Sequence, residues 1–200
     1  MKKGLCMNRL ICLFGFMCVL VLAGCAAQDI PKEGVGSRGY SGDAEVVFVR
    51  PSLFSGTTDT MVLATVDGDI QPLALVPPKT KTRVYLAPGR HVFILGNAAS
   101  NVLEAELERD KTYYVLIKPL RGMWKEEFGL EPVPYETATS GLFAATFAGL
   151  PWQERNYDTV QSWFEEHRGA MLDYSGSVLQ RGRTDDMAVL PEDGLTEPLL

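Results

Sequence analysis

The stretch Val102–Pro119, "VLEAELERDKTYYVLIKP", decides the fold. Its first half alternates: Leu103, Ala105 and Leu107 are apolar, while Glu104, Glu106 and Glu108 are acidic. A strand sends successive side chains to opposite faces, so this spacing places the leucines and alanine on a core and the carboxylates in water. Asp110-Lys111 then has turn chemistry, and Tyr113–Lys118 reads as a second strand of aromatic and branched residues.

Reading upstream from this pair, the same device recurs. "RVYLAPGRHVFIL", Arg83–Leu95, has two strand-like runs about Pro88-Gly89, where proline presets one turn angle and glycine supplies a positive φ. "MVLATVDGDIQPLALV", Met61–Val76, carries Asp67-Gly68-Asp69 between two runs, a strong hairpin signal. "EVVFVRP", Glu45–Pro51, is apolar on both faces and reads as an interior strand closed by proline. Short strands separated by frequent turns define a mainly β fold of the antiparallel sandwich type over residues 44–135, with no helix expected there.

The blocks "VVFVRP", "TVDG", "YLAPGRHVF" and "LEAELERDKTYYVLIKP", in that order over residues 44–133, resemble a family of uncharacterised bacterial lipoproteins that carry a small immunoglobulin-like β-sandwich in the style of PEGA surface-layer domains. The resemblance implies an envelope lipoprotein. Two departures concern loops: "LALVPPKTKT" replaces a glycine-x-tyrosine segment, and Arg109-Asp110 stands where the family commonly has glycine before lysine.

The amino-terminal 24 residues read as a signal peptide. Lys2, Lys3 and Arg9 precede the apolar run Leu10–Leu22, which is too short for a comfortable membrane span; Met7 offers a second start. Cys6, Cys12 and Cys18 would leave with this leader, so Cys25 is the one cysteine expected in the mature chain. Leu22-Ala23-Gly24-Cys25 resembles the lipobox of bacterial lipoproteins, which implies cleavage after Gly24 and acylation of Cys25. Two or more acyl chains, at about 0.8 kcal/mol per buried methylene, would anchor the protein stably. The alternative is cleavage after Ala27 and release of a soluble product. Ala26, in place of the aspartate that retains such proteins in the inner membrane, implies the outer membrane, facing the periplasm. Residues 26–43, rich in glycine, read as a tether spanning roughly 24 Å as a flexible coil.

Loss of the leader takes Lys plus Arg from 19 to 16 and leaves all 25 acidic residues, a net charge of about −9. No lysine and arginine cluster of the kind that displaces counterions is present, which argues against nucleic acid.

Beyond Pro134 the period changes. Leu142, Phe143, Thr146, Phe147 and Leu150 fall at helical spacing between Ser140, an N-cap, and Pro151, a stop. Asp158-x-x-Gln161 reads as a capping box opening a longer helix whose stripe is Val160, Trp163, Phe164, Met171, Tyr174 and Val178, with Gly169 a point of weakness. This helical extension occupies residues 136–182, and residues 183–200, acidic and punctuated by proline and glycine, read as a disordered tail.

The expected chemistry is binding. His91 and His167 are the only histidines; the first reads as a turn-flanking residue, and the second sits on the long helix beside Glu165 and Glu166, which do not share its face. No metal, cofactor or catalytic constellation is expected. Trp152 and Trp163 are expected to pack the extension onto the sheet. The best contact candidate is "PLRGMWKEEF", where Arg121, Trp124 and Lys125 set an aromatic between cations in a loop suited to an envelope protein or a glycan. The leading expectation is a non-enzymatic, lipid-anchored binding or scaffold module. The alternatives are a structural subunit docking through Trp163 and Phe164, and an enzyme with a dispersed carboxylate site.

Overall fold

A computed structural model describes residues 41–51, 58–66, 68–96, 102–119, 128–181 and 188–200. These residues belong to one compact unit, Glu33–Leu200. The β-strands are β1 (Ala44–Arg50), β2 (Thr60–Val66), β3 (Asp69–Val76), β4 (Thr80–Leu86), β5 (Gly89–Leu95), β6 (Leu103–Leu107), β7 (Thr112–Pro119), β8 (Phe128–Pro132) and β9 (Ala188–Val189). The helices are α1 (Tyr135–Ala138), α2 (Gly141–Phe147) and α3 (Tyr157–Arg181). A 3₁₀ turn covers Pro191–Asp193.

The strands make two sheets, ordered β4-β1-β7-β8 and β3-β2-β5-β6-β9. Inner side chains of both, including Val46 and Phe48 of β1, Phe93 and Leu95 of β5, and Val115 and Ile117 of β7, form one buried cluster. Across it the Phe48 and Phe93 rings meet edge to face, with centroids 5.5 Å apart. The alternation in β6 is realised: Leu103, Ala105 and Leu107 are buried, and the intervening glutamates are not. β1 is interior, between β4 and β7, and both its faces are buried because a second cluster, with Val47 and Val49, lies on its outer side. Its last residue, Arg50, is 1% exposed, and its Nη1 donates to the carbonyls of Thr58 and Val76, both at 2.9 Å.

One strand expectation holds and two change. The hairpin between β2 and β3 forms, with Val66 opposite Asp69 and Gly68 at φ 88°, while Asp67 itself lies outside the described residues. Pro88-Gly89 makes no hairpin: Gly89 takes φ 126°, but β4 and β5 enter different sheets, so the turn carries the chain from one sheet to the other. Both turns set a glycine at positive φ; pairing is set by the partners waiting in each sheet. Nor is the pairing wholly antiparallel, because β1 runs parallel to β7, and β6 to β9.

The turn before β7 is Arg109-Asp110, and Asp110 adopts φ 57°. Aspartate tolerates this left-handed conformation better than most residues, which explains how the chain does without glycine here. Its Oδ1 also accepts a bond from the Gly42 amide at 2.8 Å, joining the turn to the start of β1.

Both sheets have covered outer faces. α1, α2 and the carboxy-terminal residues lie over β1 and β7, where Tyr114, Phe143, Leu195 and Leu200 pack together. Ser140 caps α2 as expected, its Oγ accepting from the Phe143 amide at 3.4 Å. Leu142, expected on the apolar face, is instead 77% exposed, because only Phe143 and Phe147 of that turn reach the sheet. α3 lies over β2, β3 and β5: Val160, Phe164 and Met171 meet Met61 and Leu63, while Val178 meets Ile94. It runs unbroken through Gly169. Its cap is Asn156 rather than the expected Asp158 box, since Asn156 Oδ1 accepts the Thr159 amide at 3.0 Å. Gln161 turns away to donate to Glu165 at 3.0 Å.

The final segment is the largest correction. Residues 188–200, expected to be a disordered tail, hold β9, a 3₁₀ turn and buried Val189 and Leu195. Thr112 and Leu195 exchange backbone hydrogen bonds at 2.8 and 2.9 Å. Asp193, which composition marks as a solvated acid, uses both oxygens internally: Oδ2 accepts from the Leu190 amide at 2.9 Å and Oδ1 from the Tyr135 amide at 3.2 Å. A few apolar anchors and one buried carboxylate outweigh an acidic, proline-containing composition.

Candidate functional site

Cys25, with the Gly24 cleavage position, and the contact candidates Arg121, Trp124 and Lys125 lie outside the described residues. Among those described, the polar chemistry gathers around Pro151–Asn156, "PWQERN", which joins α2 to α3.

This connection spans an edge strand of each sheet. On the β4 side, the Lys81 amide donates to Pro151 O at 3.1 Å and the Gln153 amide to Lys81 O at 2.9 Å, so residues 151–153 run beside β4 like a short parallel strand. The Trp152 ring, 36% exposed, has the Arg83 guanidinium 4.0 Å and the Lys81 ammonium 4.7 Å from its centroid. Arg83 also pairs with Glu45 at 3.4 Å, and Glu45 accepts from the Thr112 hydroxyl at 2.9 Å. Lys81 and Arg83 sit two residues apart on β4 and so share its outer face. Trp152 therefore packs on a sheet edge through cations, not between the long helix and the sheet as expected.

Lys81 is 2% exposed, and its ammonium donates to Ala148 O at 2.9 Å and more distantly to Phe147 O at 3.5 Å. These carbonyls end α2, where a cation is favoured by the helix dipole. Burial, and then the nearby charge of Arg83, hold the Lys81 amine below the ordinary lysine range.

On the β3 side, the Arg155 Nε donates to Leu73 O. Its guanidinium lies 5.6 Å from the Tyr157 ring centroid. Both Nη atoms are enclosed, and neither has an acceptor among the described residues. Burial lowers its pKa from the usual guanidinium range, without enough to remove the charge. A groove of about 450 Å³ lies between β3 and α3, lined by Asp69, Gln71, Pro72, Tyr157, Gln161 and Arg168 among others; Arg155 is not part of its lining. A second cleft, about 390 Å³, lies along β5, β6 and β9 by Arg90, His91, Glu104, Glu106 and Leu190.

The two histidines are committed locally. His91 Nε2 is 2.8 Å from Ala87 O, and its ring stacks on Phe93; His167 Nδ1 is 2.9 Å from Trp163 O, and its ring stacks on Trp163 with centroids 4.2 Å apart. Trp163 is thus half-buried beneath its own helix neighbour, and Phe164, offered as part of a docking face, is buried against Met61 and Leu63. Among the described residues no group of three or more histidine, cysteine or acidic side chains could hold a metal ion.

Lys81, Arg83 and Arg155 were missed at the level of sequence. The alternation Lys81-x-Arg83 was visible as two cations on one strand face, but nothing local tied it to Trp152, about seventy residues on. Arg155 carried no sequence signal at all.

No family model matches the chain, and no curated protein matches it.

Proposed function

We propose that this chain is a lipid-anchored lipoprotein of the bacterial cell envelope, held by acyl chains on Cys25 in the outer membrane and facing the periplasm, and that its two-sheet body acts as a non-enzymatic binding or scaffold module. In this reading the body is an immunoglobulin-like β-sandwich, and the face-to-face cluster between its sheets supports that assignment. The observation that carries the reading is Cys25: the one cysteine beyond the leader, placed directly after Leu22-Ala23-Gly24. Anchoring confines the module to a thin layer near the bilayer, which raises its effective concentration for a partner in the same layer. The partner is an envelope protein or a glycan, met by the loop with Arg121, Trp124 and Lys125.

Intact mass measurement of the membrane-extracted protein tests the anchor. The expected species begins at Cys25 and carries three acyl chains, and Cys25→Ser moves the protein to the soluble fraction without them. An unmodified thiol at Cys25, or a mature product beginning at Gln28, sinks the reading. For the contact, crosslinking in intact cells is expected to capture a partner that Trp124→Ala loses; an unchanged crosslinking pattern removes that loop from the interface.

A further inference from the structure

The large apolar side chains left in water are not spread evenly over the body. Among the described residues they are Tyr135, Leu142, Trp152, Leu179, Leu190 and Leu199. Four of them, Tyr135, Leu142, Trp152 and Leu199, belong to the segments laid over the β4-β1-β7-β8 sheet, whereas α3, which covers the other sheet, contributes only Leu179. Exposed apolar residues scattered singly need no explanation, but a group on one side does.

Contacts tie this layer to the root of the tether. Gly42 is bonded to the Asp110 carboxylate, and the Glu45 amide donates to Lys111 O at 2.9 Å, so the chain enters β1 beside the turn between β6 and β7. On the β4 side of that entry, Glu45 pairs with Arg83 at 3.4 Å, and the Arg83 guanidinium lies 4.0 Å from the exposed Trp152 ring. On the β7 side, the Tyr114 hydroxyl accepts from the Leu199 amide at 2.8 Å, and its ring meets Phe143, the neighbour of Leu142, with centroids 5.3 Å apart.

We propose that this layer docks on the zwitterionic lipid surface of the bilayer that holds the Cys25 acyl chains, which turns α3 and the groove beside it away from the membrane. The proposal rests on the acylated-Cys25 reading and adds an orientation to it. Residues 26–43 span roughly 24 Å as a flexible coil, so the bilayer is the apolar phase kept within reach of a face rooted beside the tether. An indole carrying a guanidinium suits the headgroup level, with the ring at the apolar boundary and the charge among the phosphates. Leu142 and Leu199 enter shallowly beside it, as the side chains of an interfacial surface do. Glu136, Glu154 and Glu197, exposed on the same segments, repel an anionic surface, so a net-neutral headgroup layer fits and an acidic one does not.

Quenching of tryptophan fluorescence by brominated phosphatidylcholine vesicles tests the orientation in the full mature protein. Trp124→Phe with Trp163→Phe leaves Trp152 as the reporter, and Trp124→Phe with Trp152→Phe leaves Trp163. Co-sedimentation with the vesicles is scored first and reports the anchor alone. Trp152 emission is expected to shift to the blue and be quenched, and Trp163, on the helix over the other sheet, is expected to do neither. Equal quenching of both, or of neither in protein that co-sediments, overturns the docking and leaves the anchor standing. Leu142→Ser with Leu199→Ser alters only exposed side chains and is expected to remove most of the Trp152 quenching while co-sedimentation persists; unchanged quenching overturns the face. Should the protein fail to co-sediment, the acylation reading falls, and the docking is tested by itself on the Cys25→Ser chain, held to a chelating lipid by a histidine tag in place of the leader. Trp152 quenching there upholds the docking, and its absence overturns it. Stronger quenching on phosphatidylglycerol than on phosphatidylcholine overturns the zwitterionic assignment. A dimer of the Cys25→Ser chain in solution with Trp152 shielded gives the face to a second copy instead.

Discussion

The Lys81 ammonium donates to the carbonyl of Ala148 at 2.9 Å, tying the outer face of β4 to the end of α2. One buried cation thus fastens a helix to a sheet whose contact is otherwise apolar. Replacing it leaves carbonyls at a helix terminus with no donor, and bonds to charged groups are worth about 1.5–3 kcal/mol. Lys81→Met is expected to lower unfolding free energy by about that much in urea titration at neutral pH. An unchanged midpoint and slope would show that water replaces the ammonium.

The same residue predicts a pH dependence. Burial lowers the Lys81 pKa in the folded state, so between that value and the ordinary lysine pKa of about 10.4 the unfolded chain binds more protons than the folded one. Stability from this group therefore rises with pH across that window, and below it the desolvation penalty is fully present. Tyr113 and Tyr114 act in the opposite sense: burial raises both, so the unfolded chain loses their protons first and stability falls above about pH 10. Comparing wild type with Lys81→Met cancels the tyrosines. The difference in unfolding free energy is expected to shift in favour of wild type as pH climbs from 8 towards 10.4; a difference independent of pH contradicts the depressed amine.

The carboxy-terminal segment makes a third test. Asp193 holds the amides of Leu190 and Tyr135, and Gly194 packs so closely that an added Cβ would lie 2.6 Å from both the Tyr113 ring and the Lys111 side chain. Asp193→Ala leaves two amides unpaired and is expected to cost about 2–4 kcal/mol, from about 1–2 per bond. Gly194→Ala is expected to expel the segment by overlap. In both variants amide exchange should speed up at Ala188–Leu195 before it does in β1 or β7. Uniform acceleration across all strands would instead mean that the segment unfolds only with the whole body.

How much of this could be read in advance depends on where the determining contact lies along the chain. The β6 alternation, the β2–β3 hairpin and the α3 stripe each rest on residues within a few positions of one another, and each is found. Pro88-Gly89 looks like a hairpin because its turn chemistry is local, whereas the choice of sheet belongs to β1 and β2. The fate of residues 188–200 lies with Thr112, Tyr114 and Tyr135, more than fifty positions away, and composition cannot register them. Arg155 and Leu73 are 82 residues apart, which is why the candidate site has no motif. Cys25 is the opposite case: its reading needs only four neighbouring residues, and no fold.

Burial along α3 separates neighbours that sequence treats alike. Phe164 is buried among Met61, Leu63 and Val160, while Trp163 stacks on His167 with part of its ring in water. Phe164→Ala should cost about 3–5 kcal/mol by leaving a cavity, and Trp163→Ala should cost well under half of that. Equal losses in thermal or urea unfolding would place Trp163 in the core too.

The start of α3 offers the sharpest contrast, because sequence and structure nominate different caps. Asn156 Oδ1 accepts the Thr159 amide at 3.0 Å, which is the bond an N-cap makes to the third helical residue. Asp158 lies inside the first turn, where its charge meets the positive end of the helix dipole but replaces no missing acceptor. Asn156→Ala is therefore expected to destabilise by about 1 kcal/mol, within the range of about 0.5–2 found for lost caps, and Asp158→Ala by about 0.3–1 kcal/mol that salt erodes. Urea unfolding at low and high ionic strength separates the two: the Asn156 deficit should survive salt because it is a missing hydrogen bond, and the Asp158 deficit should shrink because it is a screened charge. A salt-insensitive loss at Asp158 with none at Asn156 would return the cap to the box read from the sequence.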